Sequence, residues 1–455
     1  MKLLFKNCDI LHRTAPGQYE KLTDAFLAVD GDTISYIGIV RPEGSFDVEK
    51  DMSGKLLMAG LVNAHGHSPM TLLRGVGSGL GLQDWLNNAI FPIEARLRPS
   101  DIAVGTQLAM LEMLAGGTTC FSEMYDFPFA GAEVIADAGM KANICRVGLC
   151  FDPGVDIEKD QRFRECVGLV EVMQGLIDGN EEQRRETSGL FPLVLEAVKD
   201  GRIVPEFCLH SEYLTQEPFV RAIAEKARAL GAGVNVHVSE TKKEHEECIA
   251  RHGRTPIAYL DSCGILDSRT YAAHCVWCTD EDLDIMAHSC TSLVHNPSSN
   301  MKLGSGFARI AEAVKRGVNV AIGTDGCASN NDLDMFEEMR LAALLCSGTT
   351  RDAAAISAGT VLDMATVNGA RALGRKDTGL LEVGKKADVI AINMDAPHLR
   401  PDFDTASLIV YCAKASDVYM TMVDGNVLYG DGSFFTLDRD KIIADAEEAV
   451  LRLEI

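Results

Sequence analysis

Residues 55–67, KLLMAGLVNAHGH, form a short apolar run that ends in two histidines. Seven more β-rich runs of similar length follow along the chain: TCFSEMYD (119–126), ANICRVGLCFD (142–152), EFCLHSEY (206–213), GVNVHVSE (233–240), TYAAHC (270–275), SLVHNPSS (292–299) and NVAIGTDG (319–326). Helical stretches separate them, such as PFVRAIAEKARALGA (218–232). Strands that alternate with helices pair in parallel, and eight such units predict a closed (β/α)8 barrel of the TIM type.

The two chain ends have a different pattern, in which apolar and polar residues alternate in short pieces broken by Asp-Gly turns. It occurs in AFLAVDGDTISYIGIV (25–40) and again in VYMTMVDGNVLYGDG (418–432). We therefore predict an α/β protein whose small β-sandwich domain is formed from both chain ends, residues 1–57 and 379–435. The catalytic barrel would occupy residues 58–378, and a C-terminal helix residues 436–455.

Residues 151–190 are charged, have a helical pattern and exceed the length that a barrel connection requires. Two interpretations fit this composition equally well. The segment is either a lid over the site or a solvated helical insertion that does not contact the substrate.

Charge and composition restrict the class of partner. The 455 residues have a formal net charge of −23, which repels nucleic acids and anionic membranes and favours a small-molecule substrate. The sequence contains no run of 18 apolar residues, and its N-terminus mixes charged and apolar residues, so we expect a cytoplasmic protein. Fourteen scattered cysteines then predict reduced, mostly buried thiols.

Most of the predicted barrel strands end in a histidine or an acid. Barrel strands point their carboxyl ends at the catalytic face, so these side chains should converge there. A single histidine is more often a packing residue than a ligand, but repetition at one structural position favours a site. The residues are His65, His67, His210, His237, His274, His295 and Asp325.

The spacing of His65 and His67 indicates a metal site. Residues two apart on a strand point to the same side, so both imidazoles can reach one ion at ~2.1 Å. His237 and Asp325 can complete the ligand set from other strands. Three histidines and one aspartate suit one divalent ion, for which we expect Zn²⁺ with Fe²⁺ as the alternative. Such an ion lowers the pKa of bound water toward ~7.

Three residues are candidates for catalysis. Glu240 follows His237 by three positions, where a carboxylic acid could donate a proton to the substrate. The alternative is a helix N-terminal acid in SETKKEHEE, stabilised by the helix dipole. Asp325 could both bind the metal and accept the proton of the attacking water, and His274 could orient the nucleophile or polarise the group under attack.

Several of these motifs together resemble the amidohydrolase superfamily, and within it the 5′-methylthioadenosine/S-adenosylhomocysteine deaminase branch. They are AGLVNAHGH, HVSE, AAHC, HNPSSNMKLGSG and GTDGCASNNDLDMFEEMR. The resemblance implies a mononuclear site held by His65, His67, His237 and Asp325 without a carboxylated lysine. It also implies a homo-oligomer that deaminates adenine nucleosides to inosine analogues, with Glu240 protonating the ring nitrogen beside the carbon under attack.

The resemblance also suggests substrate-binding residues. Glu94 would bind the ribose hydroxyls, the alternative being a surface ion pair with Arg96 or Arg98. His210 would contact the purine, and Trp85 would either cover the nucleoside or pack in the core. Arg146 would bind the carboxylate of a homocysteine tail together with a second arginine. Arg185 is the one we select, and the other candidates are Arg162, Arg164 and Arg184.

Two positions depart from the branch pattern around the first metal motif, where Gly66 and Ser68 replace the expected alanine and threonine. This departure leaves an aminohydrolase or chlorohydrolase of another amino-heterocycle, such as guanine, a pterin or a triazine, as an alternative. A barrel that binds metal without catalysis is a further alternative, and the complete set of ligands and Glu240 argue against it.

Overall fold

The computed structural model describes residues 1–177 and 191–455. Eight parallel strands, hydrogen-bonded in chain order, form the centre of the molecule. They are Leu61–Asn63, Thr118–Tyr125, Lys141–Arg146, Ile203–Leu209, Val234–Val238, Thr270–His274, Ser292–His295 and Val320–Ile322. Backbone bonds also link the first and last of them, because the N–H of Ala64 donates to the carbonyl of Ile322 at 3.0 Å. The predicted (β/α)8 barrel is confirmed.

Helices surround this barrel and connect its strands. Those with α-helical geometry are Leu82–Trp85, Phe91–Glu94, Pro99–Ala115, Pro128–Ala138, Gln161–Met173, Phe191–Lys199, Glu217–Leu230, Lys242–His252, Pro256–Ser262, Asp280–Ser289, Pro297–Lys302, Ile310–Lys315, Met335–Thr350, Ala358–Ala365, Val367–Ala372, Thr405–Tyr411 and Arg439–Leu453. Single turns of 3₁₀ type are Ser68–Leu73, Ile157–Lys159, Glu212–Leu214, Ile265–Asp267, Pro397–Leu399 and Ala415–Asp417, and Leu86–Ile90 is a π-helix.

Burial explains why the barrel strands are apolar on both faces. Every residue of Thr118–Tyr125 and of Val234–Val238 is buried, because helices cover the outside of the barrel and side chains fill its interior. Gly323 ends the last strand where the backbone passes close to the first. A Cβ there would lie 2.8 Å from the backbone nitrogen of His65, so glycine permits the close approach that brings the ends of the two strands together.

Strands from both chain ends form a second, nine-stranded sheet, which confirms the prediction that the two ends build one β-domain. These strands hydrogen-bond into one continuous sheet. From the N-terminal end come Lys2–Ala15, Gln18–Asp30, Thr33–Gly38, Val48–Asp51 and Lys55–Ala59, and from the C-terminal end Val389–Asn393, Val418–Val423, Asn426–Gly430 and Ser433–Phe434.

Gly60 divides the first apolar run of the sequence between the two sheets. Lys55–Ala59 pairs with Val389–Asn393 in the terminal sheet, and Leu61–Asn63 begins the barrel. A Cβ at Gly60 would lie 2.3 Å from the Thr119 side chain, so the chain can turn here only without a side chain. The apolar run that begins at Lys55, from which we predicted one strand, therefore forms two strands in different sheets.

Buried ion pairs join the terminal sheet to the barrel. The ammonium group of Lys141, on a barrel strand, lies 2.6 Å from Asp388 and 2.7 Å from Asp424. Arg13 of the terminal sheet donates two hydrogen bonds to Asp363, at 2.6 and 2.8 Å. Such pairs fix the orientation of the sheet because each charge needs the other when both are removed from water.

The described part of the 151–190 segment contains the 3₁₀ turn Ile157–Lys159 and the helix Gln161–Met173. The helix buries Phe163, Cys166 and Val170 in the main core, so it packs as an element of the barrel. The cysteines are free thiols, nearly all buried, as predicted. Within the described residues, no helix combines the length and the apolar character needed to span a bilayer.

Candidate active site

Four residues from three strand ends converge at the carboxyl face of the barrel. His237 lies on its strand, whereas His65 and His67 follow the strand Leu61–Asn63 in a short loop. Asp325 follows the last strand and has a φ of 61°. A left-handed backbone is unfavourable for aspartate and is typical of residues that the surrounding structure holds in a functional geometry.

The four side chains bring their ligand atoms to one point. The Nε2 atom of His237 lies 3.1 Å from Nε2 of His65 and 3.3 Å from Nε2 of His67. Oδ1 of Asp325 lies 3.4 Å from Nε2 of His65 and 3.2 Å from Nε2 of His67. All four atoms lie within 4.8 Å of one another, so one ion can contact all of them.

Hydrogen bonds on the far sides of these groups set their orientation. Nδ1 of His67 lies 2.7 Å from the carbonyl of Met124, and Nδ1 of His237 lies 2.6 Å from the carbonyl of His210. A carbonyl only accepts, so both Nδ1 atoms carry the proton and both Nε2 lone pairs face the shared centre.

Asp325 is oriented in a comparable way. Its Oδ2 accepts hydrogen bonds from the hydroxyls of Ser299 at 2.6 Å and Ser329 at 2.8 Å. Oδ1 is left directed at the histidines. Burial opposes its charge, but the proximity of His65 and His67 outweighs burial, and the pKa of Asp325 lies well below its usual range. Imidazole lone pairs that converge beside an ionised carboxylate are the kind of ligand set that binds a divalent metal.

Glu240 and His274 lie beside this centre. Oε2 of Glu240 is 3.8 Å from Nε2 of His274, and Oε1 accepts a hydrogen bond from Ser305 at 3.5 Å. Burial raises the pKa of Glu240 above its usual range. Nδ1 of His274 lies 2.8 Å from Oδ1 of Asn300, so Nε2 is the atom that faces Glu240.

Glu244, which the sequence patterns did not reveal, holds the turn that presents Glu240. Its carboxylate accepts hydrogen bonds from the backbone N–H groups of Ser239 and Glu240, each at 2.7 Å. Thr241 and Glu244 also form the capping box of the helix Lys242–His252. The helix-terminal role considered for Glu240 therefore belongs to Glu244, and Glu240 faces the cavity.

A cavity of about 240 Å³ opens in front of the cluster of three histidines and one aspartate. His67, His237 and Asp325 lie at one end of it together with Glu240 and His274, and most of the remaining wall is apolar. This size and composition suit a small ligand that is largely apolar and is oriented by a few polar groups.

Glu94 faces the same cavity from the end of the helix Phe91–Glu94. Its Oε1 accepts a hydrogen bond from the hydroxyl of Tyr125 at 2.6 Å. Tyr125 is the last residue of its barrel strand, directly before Asp126. This position at a strand end is the only feature of the sequence that could have identified Tyr125 as a site residue. A carboxylate held in this way within a cavity can accept two hydroxyl groups from a ligand.

His210 and Trp85 also line the cavity. The ring of His210 lies 4.9 Å from that of His237, and burial lowers its pKa to about 3. The Trp85 indole donates to the carbonyl of Val76 at 3.1 Å, and the ring packs in an apolar cluster. Trp85 therefore packs in an apolar cluster and also lines the cavity, and its contact with a nucleoside stays a prediction.

Arg146 lies at the end of its strand but is not among the described residues that line the cavity. Its guanidinium group pairs with Asp126 at 2.8 Å and with Glu165 at 2.7 Å. Of the described candidates for a second arginine, Arg162 takes part in this arrangement, since it also pairs with Asp126 at 2.8 Å. Arg164 is exposed, and Arg184 and Arg185 lie outside the described residues.

Ser68, one of the two unusual positions beside the metal motif, binds Glu123. The backbone N–H of Ser68 donates to the Glu123 carboxylate at 3.1 Å, and its hydroxyl contacts the same group. Gly66 has room for a methyl group, with its nearest neighbour 3.5 Å from an added Cβ. Neither Gly66 nor Ser68 belongs to the cluster of His65, His67, His237 and Asp325 that could hold a metal ion.

The chain is similar to known deaminases over its whole length. A 5-methylthioadenosine/S-adenosylhomocysteine deaminase of Caldanaerobacter subterraneus subsp. tengcongensis is 38% identical over 454 residues, which cover 100% of this chain and 99% of the relative. A 5′-deoxyadenosine deaminase of Methanosarcina acetivorans is 37% identical, with 99% of this chain and 98% of the relative covered.

Solved structures and family models agree with these relatives. An adenosine deaminase from Xanthomonas campestris, solved with bound zinc, superposes with a TM-score of 0.88 at 33% identity, covering 99% of this chain and 98% of that chain. The model of the amidohydrolase family matches residues 56–428, which include the barrel and, from the terminal sheet, the strands Val389–Asn393 and Val418–Val423. On this evidence, the chain belongs to the amidohydrolase family.

Proposed function

We propose that the protein hydrolytically deaminates adenine nucleosides to the corresponding inosine analogues and ammonia. The substrates in this class are 5′-methylthioadenosine, S-adenosylhomocysteine, adenosine and 5′-deoxyadenosine. One observation carries the proposal: a buried acid, Glu240, and a carboxylate able to bind ribose, Glu94, face one cavity with the three-histidine, one-aspartate cluster. Full-length relatives named as deaminases of such nucleosides support it.

The proposed metal ligands are His65, His67, His237 and Asp325. A divalent metal bound by them lowers the pKa of a coordinated water and so supplies a hydroxide nucleophile near neutral pH. We propose zinc, because three imidazoles and one carboxylate suit it and because the similar adenosine deaminase was solved with zinc. The test is elemental analysis of the purified protein, with zinc expected at one ion per chain.

Glu240 is proposed as the proton donor to the purine. Its raised pKa favours the neutral carboxylic acid, which can protonate the ring nitrogen beside the carbon under attack. Protonation withdraws electrons from that carbon and makes it more reactive to hydroxide. The amine takes up the proton that the attacking water released and leaves as ammonia, while the added hydroxyl returns its proton to Glu240 and becomes the carbonyl oxygen.

Asp325 and His274 are proposed to act on the attacking water. Asp325 accepts the proton that the water releases, and the serine hydroxyls that hold its Oδ2 atom orient Oδ1 for this role. His274 orients the nucleophile through Nε2, since its Nδ1 is directed at Asn300. The short distances among these groups suit proton transfer without movement of the backbone.

Glu94 is proposed to accept hydrogen bonds from the 2′- and 3′-hydroxyls of the ribose. Tyr125 already donates to one of its oxygens, which fixes the carboxylate and leaves the remaining lone pairs for the substrate. A free base such as guanine or a triazine has no hydroxyls for this group, so Glu94 favours a nucleoside over the other amino-heterocycles. His210 and Trp85, on the cavity wall, are proposed to contact the purine.

The proposed activity is tested by ammonia release from a panel of substrates. We expect turnover of the adenine nucleosides and little turnover of adenine, guanine, a pterin or a chlorotriazine. Preferential turnover of a free base would overturn the nucleoside assignment. We further propose that the protein is a cytoplasmic homo-oligomer, and light scattering after size exclusion tests the oligomeric state.

A further inference from the structure

The described wall of the cavity contains acids but no lysine or arginine. Its acidic members are Glu94, Asp126, Glu240 and Asp325. A divalent metal held by the three-histidine, one-aspartate cluster would balance the charge at one end of the cavity. At the other end, where Asp126 and Glu94 lie, no cationic side chain lines the described wall, so a substrate carboxylate brought there finds no partner in the wall itself.

Two arginines lie just behind this part of the wall. Both form ion pairs with Asp126, and Arg162 also donates a hydrogen bond to it. Nη1 of Arg146 and Nη1 of Arg162 each lie 2.8 Å from the same Oδ1 atom of Asp126. Glu165 pairs with Arg146 at 2.7 Å and lies 4.0 Å from Arg162. We call these four side chains the arginine–acid cluster. Its two positive and two negative charges balance.

Asp126 is the member of the cluster that faces the cavity. It lines the wall, and 40% of its side chain is exposed. It is adjacent to Tyr125, whose hydroxyl holds Glu94, so it lies on the ribose side of the proposed site. Burial is the main cause of the raised pKa of Glu94, and the nearby negative charge of Asp126 adds to it.

We propose that Asp126 makes the enzyme selective for nucleosides whose 5′ substituent has no carboxylate, an inference that rests on the proposed function. Its Oδ1 atom already occupies the position between two guanidinium groups that a substrate carboxylate would need. The carboxylate of a 5′ tail can therefore pair with these arginines only by displacing the Asp126 carboxylate. A methyl, hydroxymethyl or methylthiomethyl group does not compete with Asp126 for the arginines. Carboxylates bind guanidinium through charge-assisted hydrogen bonds, so the loss of these bonds is costly.

The homocysteine tail also has an ammonium group, which Asp126 would attract. The methyl ester of S-adenosylhomocysteine keeps the ammonium and the length of the tail but removes the carboxylate. Comparison of the acid with its ester therefore separates the effect of the negative charge from the effects of size and of positive charge.

The experiment measures kcat/KM of the metal-loaded enzyme for 5′-methylthioadenosine, S-adenosylhomocysteine and this ester. In the unmodified protein we expect the acid to be roughly tenfold or more poorer than the other two, as the loss of one charge-assisted bond implies. In D126N the ratio of the acid to methylthioadenosine should rise by about the same factor. Adding R146A to D126N should cancel this rise, because it removes one of the released guanidinium groups.

D156N is the matched control, because Asp156 is an exposed acid paired with Lys159 outside the cavity wall. It should leave the substrate ratio unchanged. If D126N fails to fold, D126A provides the same comparison with the carboxylate removed and space added. Equal kcat/KM for the acid and the ester in the unmodified protein, or an unchanged ratio in both Asp126 variants, would overturn the selectivity. Absence of turnover with every adenine nucleoside would instead overturn the proposed function.

Discussion

The Nε2 atoms of His65 and His237 lie 3.1 Å apart at the carboxyl face of the barrel. His237 donates its Nδ1 proton to a backbone carbonyl, so its Nε2 is an acceptor that faces another imidazole. Burial lowers the pKa of His65 to about 4, which disfavours a proton between the two rings. Two buried imidazole nitrogens in this arrangement are stabilised by a shared cation, and this relationship is the basis of the proposed metal site.

The first prediction concerns the paired histidines. His65→Ala or His67→Ala should remove both the metal and the activity, because each deletes one of four ligands, and should leave most of the fold intact. Metal content by elemental analysis, turnover and circular dichroism measure the three effects. His288→Ala is the control, since His288 is exposed on an outer helix. Normal turnover with full metal content in either variant would show that the ion binds elsewhere.

Glu240 should be needed for proton transfer but not for metal binding. Glu240→Gln keeps the shape of the side chain and removes the acidic proton, so kcat should fall by at least ~10²-fold while the metal remains bound. Glu246→Gln, an exposed substitution on the adjacent helix, should have little effect. Loss of the metal from the Gln variant would make Glu240 a ligand and refute its role as a proton donor.

Glu94 should matter only for substrates that have a ribose. Glu94→Gln weakens charge-assisted hydrogen bonds to the hydroxyls, and their typical strength corresponds to a loss of about 10- to 100-fold in kcat/KM for every nucleoside. A 2′,3′-dideoxy nucleoside lacks these hydroxyls and should lose much less. Measuring kcat/KM for both substrates in the unmodified protein and in the Glu94→Gln variant completes a thermodynamic cycle. Equal losses for the two substrates would exclude a contact between Glu94 and the ribose.

Lys141 should stabilise the junction between the barrel and the terminal sheet. Lys141→Met leaves Asp388 and Asp424 without their buried partner, and breaking such pairs typically lowers the free energy of unfolding by about 3–5 kcal/mol. Lys159→Met, which breaks an exposed pair, should cost less than about 1 kcal/mol. Urea denaturation of both variants measures the difference. Similar stabilities would mean that the buried pair contributes no more than a surface one.

The sequence predicted the barrel and the grouping of the strand-end residues because both follow from local patterns. Apolar runs, helical periodicity and the fixed direction of parallel strands were enough to bring His65, His237 and Asp325 to one face. The division at Gly60 was missed because the apolar run continues through it. Only the contact with Thr119, a residue distant in sequence, shows why the chain turns there.

The groups that orient the site could not be predicted in the same way. Ser299 and Ser329 bind Asp325, and Tyr125 binds Glu94, across strands and loops that sequence patterns do not bring into register. Charge patterns also did not reveal that Asp126 pairs with Arg146, since ion pairs between distant segments depend on tertiary packing.

The most direct measurement is ammonia release from 5′-methylthioadenosine by the purified protein before chelation, after removal of the metal, and after addition of one equivalent of Zn²⁺. We predict turnover that is lost with the metal and restored by zinc in the unmodified protein, and no restoration in His67→Ala. Turnover that persists in the metal-free protein would contradict a metal-dependent deaminase, as would ammonia release from a free base but from no adenine nucleoside.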